Sequence, residues 1–100
     1  MMEDIHKIAE YYGLNPQMDV LIEEMAELIK ALSKYKRITN VYCPKIVKED
    51  AIANIAEEIA DVEIMLEQVK YLLNITQGDI ERIKEKKVLR TLGYISKDKG

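Results

Sequence analysis

The sequence predicts an all-α, four-helix, bundle-like fold, and three observations carry that prediction. Apolar residues recur at intervals of three and four in four separate stretches, which is the period of an amphipathic helix. Nothing alternates convincingly with period two, so almost no sheet is expected. The breaks between the stretches hold Gly, Pro and Asn, the residues that close and open helices.

The first helix is predicted over about Met2 to Tyr12, with Ile5, Ile8, Ala9 and Tyr12 on one face. Gly13-Leu14-Asn15-Pro16 ends it, since Gly closes helices and Pro opens them. The second runs from about Pro16 to Lys36, and its apolar stripe is Met18, Leu21, Ile22, Met25, Leu28, Ile29 and Leu32. Arg37 to Val47 is read as a long connection, free to serve function or to pack on another subunit. The third helix runs from about Lys48 to Leu73, with Ile52, Ile55, Ile59, Val62, Leu66, Val69 and Leu73 in its stripe. Asn74 to Gly78 is a turn, in which Thr76 and Asp79 have the spacing of a capping box. The fourth helix is predicted from about Gln77 to Leu92, followed by a frayed polar tail over 93–100.

One hundred residues form a single domain, its core expected over about residues 2–92. Apolar residues make up 48% and charged residues 33%, a globular balance. Phe and Trp are absent, so Leu, Ile, Val, Met and Ala must build the core, and six Tyr are the only aromatics. A net charge of −3 argues against a nucleic-acid-gripping role. With one Cys (Cys43) and one His (His6), the chain has no internal disulfide and no Cys/His zinc site. The amino terminus lacks a signal-peptide layout, and no apolar run approaches the roughly 18 residues that cross a bilayer. The expectation is a soluble, cytoplasmic protein without a membrane partner. His6 is read as a surface residue and Cys43 as incidental.

One phrase occurs twice. Glu23-Glu24-Met25-Ala26-Glu27-Leu28 returns as Glu57-Glu58-Ile59-Ala60-Asp61-Val62: acid, acid, apolar, Ala, acid, apolar. At about 100° per residue, Glu24 lies roughly 100° and Glu27 roughly 160° from the centre of the second helix's stripe. Val20, Ala31 and Tyr35 flank them, so the acids share a second, partly buried face. The third helix repeats the layout, with Glu58 between Val69 and Met65 and Asp61 beside Leu72, whereas Glu57 points away. Unpaired carboxylates taken out of water cost several kcal/mol. Grouping Glu24, Glu27, Glu58 and Asp61 therefore demands either protonation or a cation. An all-oxygen set suits Mg²⁺, with Mn²⁺ as a substitute. The absence of Glu-x-x-His argues against a di-iron bundle. Metal-assisted chemistry on a phosphate is the leading expectation.

Lys84, Lys87 and Arg90 are spaced by three along one face of the fourth helix and are candidates for phosphate binding. Lys34, two turns beyond Glu27, is a further one. Gln17 and Asn54 lie on the carboxylate side of their helices and are candidates for substrate contact or for fixing a metal ligand.

At these residues the chain resembles the MazG-like all-α nucleoside triphosphate pyrophosphohydrolases. That family is marked by Glu-Glu-x-x-Glu on one helix and Glu-Glu-x-x-Asp on a later one; here these are Glu23-Glu24-x-x-Glu27 and Glu57-Glu58-x-x-Asp61. Tyr12-Gly13 followed by Gln17, the run from Asn54 to Ile64, and Lys84-x-x-Lys87-x-x-Arg90 extend the likeness over about residues 8 to 92. The loop between the acidic motifs is longer than in many relatives and lacks the Trp- or Gly-rich insert of some members. The resemblance implies a MazG-type fold completed by oligomerisation, as a homodimer or homotetramer. It implies Mg²⁺-dependent cleavage of a nucleoside triphosphate to the monophosphate and pyrophosphate. It maps metal ligands to Glu24, Glu27, Glu58 and Asp61, and the residue that orients or deprotonates water to Glu23. Two alternatives stay open: a phosphoribosyl-ATP pyrophosphohydrolase of the same superfamily, and a non-catalytic helical interaction module with a structural metal.

Overall fold

The computed structural model describes residues 1–99 and holds four helices: α1 (Met2–Tyr12), α2 (Leu14–Thr39), α3 (Lys45–Leu72) and α4 (Gln77–Lys99). No strand occurs among the described residues, and the chain is all-α. None of its helices is long and apolar enough to cross a membrane.

Three boundaries differ from the expected ones, each for a local reason. The α1–α2 break is a single residue, Gly13, whose φ of 86° and ψ of 171° are open essentially to glycine alone. Its amide still donates to the Ala9 carbonyl at 2.8 Å, so α2 restarts at once. Pro16 then falls in the first turn of α2, where a missing N–H costs nothing. The expected long connection shrinks to residues 40–44, because Thr39 prolongs α2 by donating its hydroxyl to the Tyr35 carbonyl at 2.7 Å. Pro44 then caps α3 from outside. At the far end, residues 93–99 are helical and not frayed. Nothing there breaks the backbone ladder, and Lys97 and Lys99 oppose the negative end of the helix dipole.

α2 and α3 form an antiparallel hairpin, and α1 leans mainly on α3. Leu21, Val62 and Met65 make the centre of the core, with Val20, Leu28 and Val69 packed around them. Ala9, Ala31 and Ala51 are buried where small side chains let helices approach. One buried polar pair crosses the hairpin: Gln17 Nε2 donates to Gln68 Oε1 at 2.7 Å. Gln68 in turn donates to Met65 Sδ and is 1% exposed. His6 is half-buried, not superficial; it stacks on Tyr71 at 3.9 Å between ring centroids and approaches Glu67 at 3.6 Å. The Tyr71 hydroxyl donates to Glu10, tying α1 to α3 a second time.

The expected core stripe is largely outside. Ile22, Met25, Ile29 and Leu32 of α2 are exposed, as are Ile52, Ile59 and Leu66 of α3. The hairpin closes along the edge of the stripe nearest the acids, through Leu21, Leu28, Val62 and Val69, with Gln17, Glu24 and Ala31 beside them. On that edge Ala31 is buried, and its small side chain leaves room for the facing helix. α4 stands apart: among the described residues none of its side chains is buried, and it meets α3 at its first residue, where Lys70 Nζ donates to Gln77 Oε1 at 2.7 Å.

Candidate metal centre

The antiparallel hairpin brings the first acidic motif, on α2, opposite the second, on α3. One carboxylate oxygen from each of Glu24, Glu58 and Asp61 lies within 4.8 Å of the other two. All three side chains are half-buried. Glu58 Oε2 is buried and has no hydrogen-bond partner. Among the described residues no Lys, Arg or His forms an ion pair with any of the three.

The electrostatics follow from that crowding. Burial, and then the charge of Asp61, push the Glu24 carboxyl above its ordinary value of 4.5, with Glu27 and Glu23 adding to the rise. The same two causes raise Glu58, followed by the charges of Glu24, Glu27 and Glu57. A carboxylate raised in this way prefers a proton or a cation to ionisation alone.

The donor set fits a small hard cation. Oxygens bonded at about 2.0–2.1 Å around an octahedral ion sit about 2.9–4.2 Å apart, a span comparable with the 4.8 Å within which the three atoms lie. The orphaned oxygen of Glu58 is the atom in need of such a partner. Carboxylates with no His or Cys beside them suit Mg²⁺ or Mn²⁺.

The remaining predicted residues divide. Glu27 is exposed and outside the three-oxygen group, although its charge is felt by both Glu24 and Glu58. The structure thus gathers three of the four expected ligands. Glu23, beside Glu24, is exposed. Asn54 is half-buried one turn before Glu58 on the same face. Gln17 is committed to Gln68 inside the hairpin, an arrangement that uses its amide for packing. Lys34 is exposed on α2. Lys84, Lys87 and Arg90 are exposed on α4, past its first-residue contact with Lys70 of α3, and Lys84 approaches Glu81 at 3.6 Å.

Gln68 escaped the sequence reading. It follows Asp61 by two turns and Met65 by one, and that row of the helix, once known to face α2, identifies it. Nothing in the local sequence distinguishes it from a surface glutamine. Compared with protein-family models, curated proteins and solved structures, the chain matches none.

Proposed function

We propose that this chain is a divalent-metal-dependent nucleoside triphosphate pyrophosphohydrolase of the MazG-like kind. The observation that carries the proposal is the meeting of Glu24, Glu58 and Asp61 from two helices, with one Glu58 oxygen buried and unbonded. Glu24, Glu58 and Asp61 would hold Mg²⁺, and Glu27, one turn on from Glu24, is the fourth carboxylate the resemblance assigns to it. When bound, the ion neutralises phosphate charge and lowers the pKa of a coordinated water.

The protein's own groups do the rest. An exposed carboxylate beside the cluster, Glu23, takes the proton as a water oxygen attacks the α-phosphorus. The bond from that phosphorus to the bridging oxygen breaks, and the electron pair leaves with pyrophosphate. Lys84, Lys87 and Arg90 are the cations suited to that leaving group, with Arg90 able to bind two oxygens at once.

A second reading is a helical interaction module that keeps a cation only for structure. The exposed apolar faces of α2 and α3 favour it. One experiment separates the two. The protein is incubated with Mg²⁺ and a panel of nucleoside triphosphates and phosphoribosyl-ATP, and the products are assayed. Monophosphate plus pyrophosphate is expected from at least one substrate. Diphosphate plus phosphate, or no Mg²⁺-dependent product at all, would overturn the proposal.

A further inference from the structure

The chain exposes too much surface for a finished molecule. Its accessible area is 7954 Å², whereas a folded monomer of 11.6 kDa exposes about 5,800 Å². Its radius of gyration is 17.7 Å, against about 13 Å for a compact domain of this length. The surplus is about 2,100 Å² per chain. Part belongs to α4, which has no cover in its own chain. A standard interface takes only about 800 Å² from each partner.

The apolar part of that surplus on the hairpin is one continuous face. On α2 it is Ile22, Met25, Ile29 and Leu32, with Ile29 64% and Ile22 61% exposed. On α3 it is Ile52, Ile59 and Leu66. At about 100° per residue both rows lie roughly 100° from the contact face in the same rotational sense. In antiparallel helices an equal turn in the same sense points both rows to the same side of the hairpin. α1 does not cover that side, since it meets α3 through Glu67 and Tyr71, which lie off the row.

Charge decides what can lie there. Asp19, Glu23, Glu24, Glu27, Lys30 and Lys34 all fall outside the α2 row, which is free of charge from Met18 to Leu32. A two-fold interface sets one patch against itself, so a charged residue on the axis would meet its own copy. A wide, uncharged, apolar face is self-complementary, and burying it removes about 25 cal/mol per Å² of unfavourable hydration.

We propose that the α2/α3 row of one copy docks on the same row of a second copy, closing a four-helix core across a two-fold axis. The inference stands on shape and charge and is independent of the hydrolase proposal. The first test is sedimentation of the full chain without nucleotide or metal. Twice the mass of one 11.6-kDa chain is expected at micromolar concentration.

Ile29→Asp and Ile59→Asp should weaken the dimer at least 100-fold with helical circular dichroism retained. Leu89→Asp on α4, where Leu89 is 68% exposed, should leave the mass unchanged. In the wild type, mixed isotope-labelled and unlabelled chains should give intermolecular NOEs between the methyls of Ile22 or Ile29 and those of Ile59 or Leu66. This measurement does not depend on any variant folding. A monomer at 100 µM would overturn the proposal. So would a dimer whose only intermolecular NOEs come from α4, or a hairpin row that shows NOEs to its own α4.

Discussion

The helices of the α2/α3 hairpin, of 26 and 28 residues, and α4, of 23, are similar in length and are held by opposite means. The hairpin depends on tertiary contact: Leu21, Val62 and Met65 pack across it, and Gln17 bonds to Gln68 inside it. α4 depends on local chemistry. At its start the Asp79 amide donates to Thr76 Oγ1 at 3.0 Å and the Thr76 amide donates to Asp79 Oδ2 at 3.2 Å, the reciprocal capping box. Pairs one turn apart continue it, Arg82 with Asp79 and Lys84 with Glu81, and Gln77 donates to Glu81. The charge divides along the same line. From Gln77 onward there are seven bases and four acids, net +3; residues 1–76 hold eight bases and fourteen acids, net −6. Helices that bury a face can afford half-buried acids, because packing holds them in place. A helix that buries nothing must be stabilised by its own caps and pairs.

The largest expected effect falls on the hairpin. Glu58→Gln should lower pyrophosphate release about 10²–10³-fold, the scale for deleting one preorganised electrostatic group at a reaction centre. The same change should leave the metal-free protein at least as stable, because it removes one of the crowded charges. The pH dependence gives the sign. Glu24 and Glu58 are raised above 4.5 in the folded chain, so the folded state holds protons there that the unfolded state has released. Metal-free stability should fall as pH rises from 4.5 through the folded values, and Mg²⁺ should restore it at neutral pH. A thermal melt of Glu58→Gln that drops well below wild type without metal would show that the acid is structural.

A smaller loss is expected from α4. Arg90→Ala should cost about 10- to 100-fold in kcat/KM, from the roughly 1.5–3 kcal/mol carried by hydrogen bonds to a charged group. An unchanged kcat/KM would remove α4 from the reaction and sharpen the division between the two regions.

The smallest change is at the cap. Thr76→Ala should destabilise α4 by about 1 kcal/mol, read as faster amide exchange in α4 with the hairpin unaffected. The Thr76 hydroxyl and amide, bonded to Asp79, hold its carboxyl below 3.8. The cap's ionic contribution is therefore complete above 3.8 and disappears as pH falls through the lower, folded value. Equal acceleration of exchange across the hairpin would mean that α4 is not the separate unit described here.

The number and order of the helices, the Gly13 break, the Thr76–Asp79 cap and the pairing of two acidic motifs were all legible in the chain alone. Each depends on backbone chemistry or periodicity within a few residues, and local sequence carries that information. Which of two apolar-compatible faces on α2 and α3 would meet inside the hairpin was not legible. The broad stripe carries the periodic signal, but only its edge with Leu21, Leu28, Val62 and Val69 turns inward, and which edge does so is a property of two helices together. For the same reason Glu27 stays outside the group formed by Glu24, Glu58 and Asp61, and Gln68 emerges as a core residue. Distances between side chains on separate helices depend on how those helices are rotated and offset. No single segment encodes either quantity.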